Sequence, residues 1–160
     1  GGPLMQAVAA KAVCFGEALK PSFKLYAKQV IKNAKAMEKV FAENNIRMLT
    51  GGTSSHLILA DVYGSLGIPG QEAEDVLDHV GITLNKNSIA DDTRKPMDPS
   101  GIRFGTPAIT TRKFKEKECA YVAELMVETL KNKDDKKTLK RIREDIRKLC
   151  KKFPIPDKFV

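Results

Sequence analysis

Arg103 is the side chain best placed to do chemistry. It stands in Ser100-Gly101-Ile102-Arg103-Phe104-Gly105-Thr106-Pro107, and flanking glycines let backbone or ligand approach closely. A guanidinium offers a planar fork that matches a carboxylate through two parallel N–H bonds. The plainer alternative is a structural ion pair on a short strand. Asn85, Lys86 and Asn87 make a second polar cluster. Their amides can read the donors and acceptors of a heterocycle, or they can simply form a turn. His56 follows Gly51-Gly52-Thr53-Ser54-Ser55. It reads as a hydrogen-bonded structural histidine, because two histidines in the whole chain do not make a metal site. Ser54-Ser55 lacks the G-x-S-x-G elbow of a hydrolase. Gly1-Gly2 could offer backbone N–H groups to a phosphate ahead of Pro3, a weak signal alone.

Other chemistries are argued against by composition. Cys14, Cys119 and Cys150 are far apart with no C-x-x-C pair, so neither a metal framework nor an even disulfide set is expected. That usage suits a reducing compartment, and a cytoplasmic location is expected. No apolar run approaches membrane-spanning length. The chain has 160 residues and a net charge of +8. Twelve of its 28 Lys/Arg but only five of its 20 Asp/Glu fall in residues 131–160, so the basicity belongs to one terminal element. Arg141, Arg143, Arg147, Lys148, Lys151 and Lys152 read as a solvated face. No aromatic interleaves them and no nucleic-acid partner is expected.

The elements that must position these residues follow from periodicity. Residues 4–19, apolar on several faces, predict a buried helix with Pro3 at its start. Lys20-Pro21 interrupts it. Residues 21–43 predict an amphipathic helix through Phe23, Tyr26, Val30, Ala34, Met37 and Phe41, stopped by Asn44-Asn45. Strands are expected at 46–49, 56–62, 82–84 and 102–104, with a short helix at 71–80 closed by Gly81. Residues 85–101 read as a long irregular, functional loop. Helices are expected from 114 to 131 and from an Asp134-Asp135 cap to Phe153, the latter along a Leu139-Ile142-Ile146-Leu149 seam. Short segregated strands among flanking helices predict an α+β fold, a small α/β sandwich.

Five segments in this order, GGPLMQAVAAKAV, VIKNAKAM, GGTSSHLIL, GITLNKNSI and SGIRFGTPAITTR, resemble serine hydroxymethyltransferase across nearly the whole chain. The resemblance implies the carboxy-terminal domain of a fold-type I transferase dependent on pyridoxal 5′-phosphate. Residues 1–20 would end the large cofactor-binding domain as one helix, and 21–160 would form the small domain. It implies conversion of serine and tetrahydrofolate to glycine and 5,10-methylenetetrahydrofolate. Arg103 matches the family's substrate-carboxylate arginine, and Asn87 a residue near the folate pterin, with Lys86 a weaker candidate. Lys95, Pro96 and Met97 stand where the family's folate-side loop commonly reads Ser-Pro-Phe. Gly1 and Gly2 match a pair approaching the cofactor phosphate of the neighbouring subunit, so a homodimer or larger assembly is implied.

There are departures. Ser54-Ser55 replaces an Asp-Asn, Met97 replaces an aromatic, and Asp98-Pro99 replaces small residues. The Thr-rich motif with its histidine and Schiff-base lysine does not occur in this chain, nor does the Asp that partners the pyridine nitrogen. No residue here is assigned a catalytic role, and the chain alone is expected to be inactive. The alternative is an isolated domain that binds a partner subunit or RNA through its basic terminal helix.

Overall fold

A computed structural model describes residues 1–156. Residues 157–160, the end of the expected small domain, lie outside the described residues. Four short strands form one antiparallel sheet in the order β1-β2-β4-β3: β1 (Arg47–Met48), β2 (Leu57–Asp61), β3 (Asn85–Asn87) and β4 (Gly101–Gly105). Among the described residues there are seven α-helices, α1 (Met5–Ala18), which leads into α2 (Pro21–Glu43), then α3 (Val62–Leu66), α4 (Gly70–His79), α5 (Pro107–Thr111), α6 (Glu116–Lys131) and α7 (Lys136–Lys152). This is the expected α+β class.

The sheet alternates as a half-buried sheet must. Ile58, Ala60 and Ile102 are buried on one face, against Met37 and Phe41 of α2, Leu77 of α4 and Met126 and Leu130 of α6. The ring of Phe104 lies 5.2 Å from that of Phe41, which places Phe104 on the same face. A second cluster docks α7 through Leu139, Ile142 and Ile146 onto Val80 and Leu125. Asp135 caps α7, its carboxylate accepting from the N–H groups of Lys137 at 3.0 Å and Thr138 at 3.3 Å. Gly81, at φ +90°, ends α4 in the left-handed region that glycine enters without penalty.

Several expectations are corrected. The first helix starts at Met5, past Pro3, and none of its residues is buried: apolar composition needs a partner surface, and within the chain α1 meets chiefly the start of α2. The third strand is Asn85–Asn87 rather than 82–84. Leu84 is buried, so this apolar stretch packs into the core beside the sheet while the polar residues carry the ladder with β4. Strand β2 stops at Asp61, whose carboxylate accepts from the N–H of Gly64 at 2.7 Å and opens α3, taking Val62 into the helix. Helix α5, five residues long, is too short for a periodic signal.

Candidate functional site

Cross-strand register decides what the second face of the sheet displays. Arg103 of β4 pairs with Leu59 of β2 and Asn85 of β3, and Gly101 pairs with Asn87. Directly opposed residues share a face, so Arg103, Asn85, Asn87, Leu57 and Leu59 all point away from the core. Arg103, Asn85 and Leu57 are exposed. Among the described residues the Arg103 guanidinium has no carboxylate or hydrogen-bond partner. The structural ion pair allowed by the sequence is therefore not formed.

The glycines beside Arg103 serve strand packing. A Cβ on Gly101 would lie 2.8 Å from the carbonyl oxygen of Asn87, 3.1 Å from that of Ala60 and 2.7 Å from Cγ2 of Ile89. One on Gly105 would lie 3.0 Å from the carbonyl oxygen of His56. The close approach anticipated from the sequence is thus made by neighbouring backbone. Gly101 holds β4 tightly between β2 and β3 and so sets where Arg103 emerges.

The polar cluster on β3 divides between faces. Asn87 Nδ2 donates to the carbonyl of Ser88 at 2.6 Å. Lys86 points the other way, toward α4, where its ammonium pairs with Glu74 at 3.3 Å and donates to Gln71. It is committed to that helix and does not join the face bearing Asn87.

Residues 88–100 are irregular but pinned. The Asp92 carboxylate accepts from Ser100 N at 2.9 Å and Ser100 Oγ at 2.7 Å, from Arg94 N at 3.0 Å and from Ile89 N at 3.2 Å. Partial burial pushes its pKa up, but the bonds from Ser100, Arg94 and Ile89 outweigh that and hold it far below the ordinary carboxylate range. Arg94 spans the tip: its Nε donates to the Asp98 carbonyl at 3.0 Å, its guanidinium pairs with the Asp98 carboxylate, and it stacks 4.4 Å from the Tyr63 ring centroid. Lys95, Pro96 and Met97 form the exposed turn held between Arg94 and Asp98. No hydrogen bond among the described residues joins this tip to Arg103 or Asn87. The Asp92 hub was missed in the sequence. Its trace is an Asp two residues before the N–H it accepts, the pattern of an Asx turn.

Because folding lowers the Asp92 pKa, its contribution to stability is full above the ordinary carboxylate range. It is lost as pH falls through the depressed folded value. Asp92→Asn is expected to destabilise the loop by about 1–2 kcal/mol at pH 7. Hydrogen exchange at Ser100 and Arg94 N–H checks this: faster exchange in the variant at pH 7, and acceleration of the parent only in strong acid.

The remaining candidates stand apart. Gly1 and Gly2 are exposed, and a Cβ on either would meet nothing within 4 Å. His56 is exposed, and its backbone carbonyl accepts from Thr106 N at 3.1 Å. The expected side-chain hydrogen bond is absent among the described residues. Cys119 is buried, and desolvation, helped by the charges of Glu118 and Glu116, pushes its thiol up to about 12, so it is no nucleophile near neutral pH.

An α+β domain with a bare sheet face and an uncommitted guanidinium on it defines a class: a domain able to receive an anion against its sheet. Residues 1–126 match the family model described as serine hydroxymethyltransferase. The chain belongs to the serine hydroxymethyltransferase family. It is 54% identical over 155 residues to a serine hydroxymethyltransferase of Francisella tularensis subsp. novicida (strain U112), covering 97% of this chain and 37% of that protein. The corresponding protein of Francisella tularensis subsp. tularensis (strain WY96-3418) is 53% identical and that of Endomicrobium trichonymphae 50%, with the same coverage. The chain thus spans 37% of the length of these relatives, in their carboxy-terminal part.

Proposed function

We propose that this chain forms the carboxylate- and folate-facing part of an enzyme that converts serine and tetrahydrofolate to glycine and 5,10-methylenetetrahydrofolate. The observation that carries the proposal is the uncommitted guanidinium of Arg103 on the open sheet face. In this reading its two parallel N–H bonds hold the amino acid's carboxylate and fix rotation about the adjacent carbon. That rotation decides which bond of the substrate faces the reactive partner. Asn87, on the same face two residues beyond the partner of Arg103, would read the folate heterocycle. The pinned Lys95-Pro96-Met97 turn would cover that ligand.

For pyridoxal 5′-phosphate this chain offers its first two residues. Gly1 and Gly2 have unobstructed backbone and could approach the phosphate from a second protomer. Bound cofactor would supply the electron sink for bond cleavage, and this chain would orient, not catalyse. In this reading α1 belongs to the large domain and 21–160 to the small one, the working protein is a homodimer or larger and cytoplasmic, and this chain alone is inactive.

Methylenetetrahydrofolate formation by the intact protein tests the reading. Asn87→Ala is expected to raise the KM for tetrahydrofolate about 10-fold, the scale of one lost hydrogen bond in a desolvated site, with the KM for serine little changed. A variant with parental folate kinetics would remove Asn87 from the site, and no turnover of serine by the intact parent would remove the function.

A further inference from the structure

A second place on the molecule gathers like charge without using it. Between the first half of α2 and the α5–α6 connection lies a cavity of about 480 Å³, lined by Lys28, Lys32, Lys113 and Lys115, with Tyr26 and Thr110 also on its wall. That volume falls within the range of about 300–1,000 Å³ usual for small-ligand sites. Lys28 and Lys32 are one helical turn apart and share a face of α2. Lys113 and Lys115 come from the α5–α6 connection, about eighty residues away in sequence. Among the described residues Lys28, Lys32 and Lys113 have no ion-pair partner.

The wall offers little to a cation. The Tyr26 hydroxyl donates to the Pro107 carbonyl at 3.1 Å. The Thr110 hydroxyl donates to the Thr106 carbonyl at 2.7 Å and accepts from Asn33 Nδ2 at 2.8 Å. Gln29, also on the wall, spends its amide hydrogens on Asn33 Oδ1 at 2.8 Å and Glu116 Oε2 at 2.9 Å, and its carbonyl accepts from Lys115 at 3.3 Å. Glu116 and Glu118 are the nearby carboxylates, the latter accepting from Lys115 N at 3.1 Å, and two negative charges still leave the four ammonium groups in excess. Lys113 also sits at φ +69°, a left-handed conformation that costs a side-chain-bearing residue about 1 kcal/mol or more. A glycine or asparagine would hold that turn with less strain, yet the position carries a cation.

We propose that this cavity binds a small polyanion carrying two or more phosphate or carboxylate groups, held by Lys28, Lys32, Lys113 and Lys115. The inference is independent of the serine site. Convergent ammonium groups repel one another when empty, and a multivalent anion relieves that repulsion while bridging two chain segments.

Calorimetric titration of the intact protein at fixed salt provides the test, with tripolyphosphate and citrate as separate probes. Lys28→Gln/Lys32→Gln keeps helix propensity and is expected to weaken binding by about 10-fold or more. Lys113→Asn, which suits the left-handed backbone, is expected to weaken it several-fold. Lys140→Gln/Arg147→Gln on α7 removes the same charge elsewhere and is expected to change affinity less than about 2-fold. Stronger binding of one probe assigns the ligand to the phosphate or the carboxylate class. Equal losses in the α2 and α7 variants would reduce the effect to diffuse attraction by a basic protein and overturn the site. So would parental affinity in both cavity variants, or no binding of either probe.

Discussion

Arg103→Ala in the intact protein is expected to lower kcat/KM for serine by about 100- to 10,000-fold, since the proposed role gives it two charge-assisted hydrogen bonds worth about 1.5–3 kcal/mol each. Among the described residues Arg103 has no partner to leave behind, so the variant should fold normally and the deficit should be kinetic. The KM for serine should rise most, because in the proposed role the carboxylate is held in both ground and transition states. A fall in kcat would report the additional loss of orientation. Arg103→Lys restores the charge without the planar fork and should recover only part of the loss. Serine kinetics unchanged in Arg103→Ala would defeat the assignment. A deficit confined to tetrahydrofolate would move Arg103 to the other substrate.

Gly101→Ala is expected to act on both stability and chemistry, although residue 101 touches no substrate in this reading. The added Cβ would press on the carbonyl oxygens of Asn87 and Ala60 and on Ile89. Two of those three obstacles are backbone, which cannot rotate away. Overpacking of this kind costs about 1–3 kcal/mol, and relief requires β4 to move away from β2 or β3. Such a shift carries Arg103 with it, and misplacement by about 1 Å can cost about 100-fold in rate. Urea unfolding should show the lower midpoint, and serine kinetics should show a kcat/KM loss that stabilising additives do not restore. Parental stability together with parental kinetics would mean the strands have slack that the observed spacing does not suggest.

The legible parts of the fold were those with a long period or a terminal marker. Helices α2, α6 and α7 carry seams that repeat over many turns; Asn45 and Gly81 take the left-handed backbone at helix ends, and the Asp135 side chain caps a helix start. The sheet was harder. Strands of two to five residues give alternation too little length to register, so Asn85–Asn87 looked like a turn and Val62 like a strand. Strand β3 is defined by its partner, and pairing between distant segments leaves no local trace. The same reason governs the site. Arg103 could be singled out from its own neighbourhood. That Asn87 shares its face while Lys86 does not is a consequence of register alone. The Asp92 hub depends on Ser100, eight residues on, and the lysine cavity joins segments about eighty residues apart. No window along the chain contains either.

Helix α1 is joined to α2 at Lys20-Pro21 and, among the described elements, packs chiefly on α2, and it leaves Leu4, Met5, Val13, Phe15 and Leu19 facing solvent. If α1 belongs to a large domain, as proposed, that proline corner would be a pivot and the rest of the chain its swinging arm. Over an arm as long as α2, about 34 Å at 1.5 Å per residue, each degree of rotation sweeps the far end through about 0.6 Å. Clasping or releasing a small anion could then be governed by the angle at one corner, without any strand changing its register.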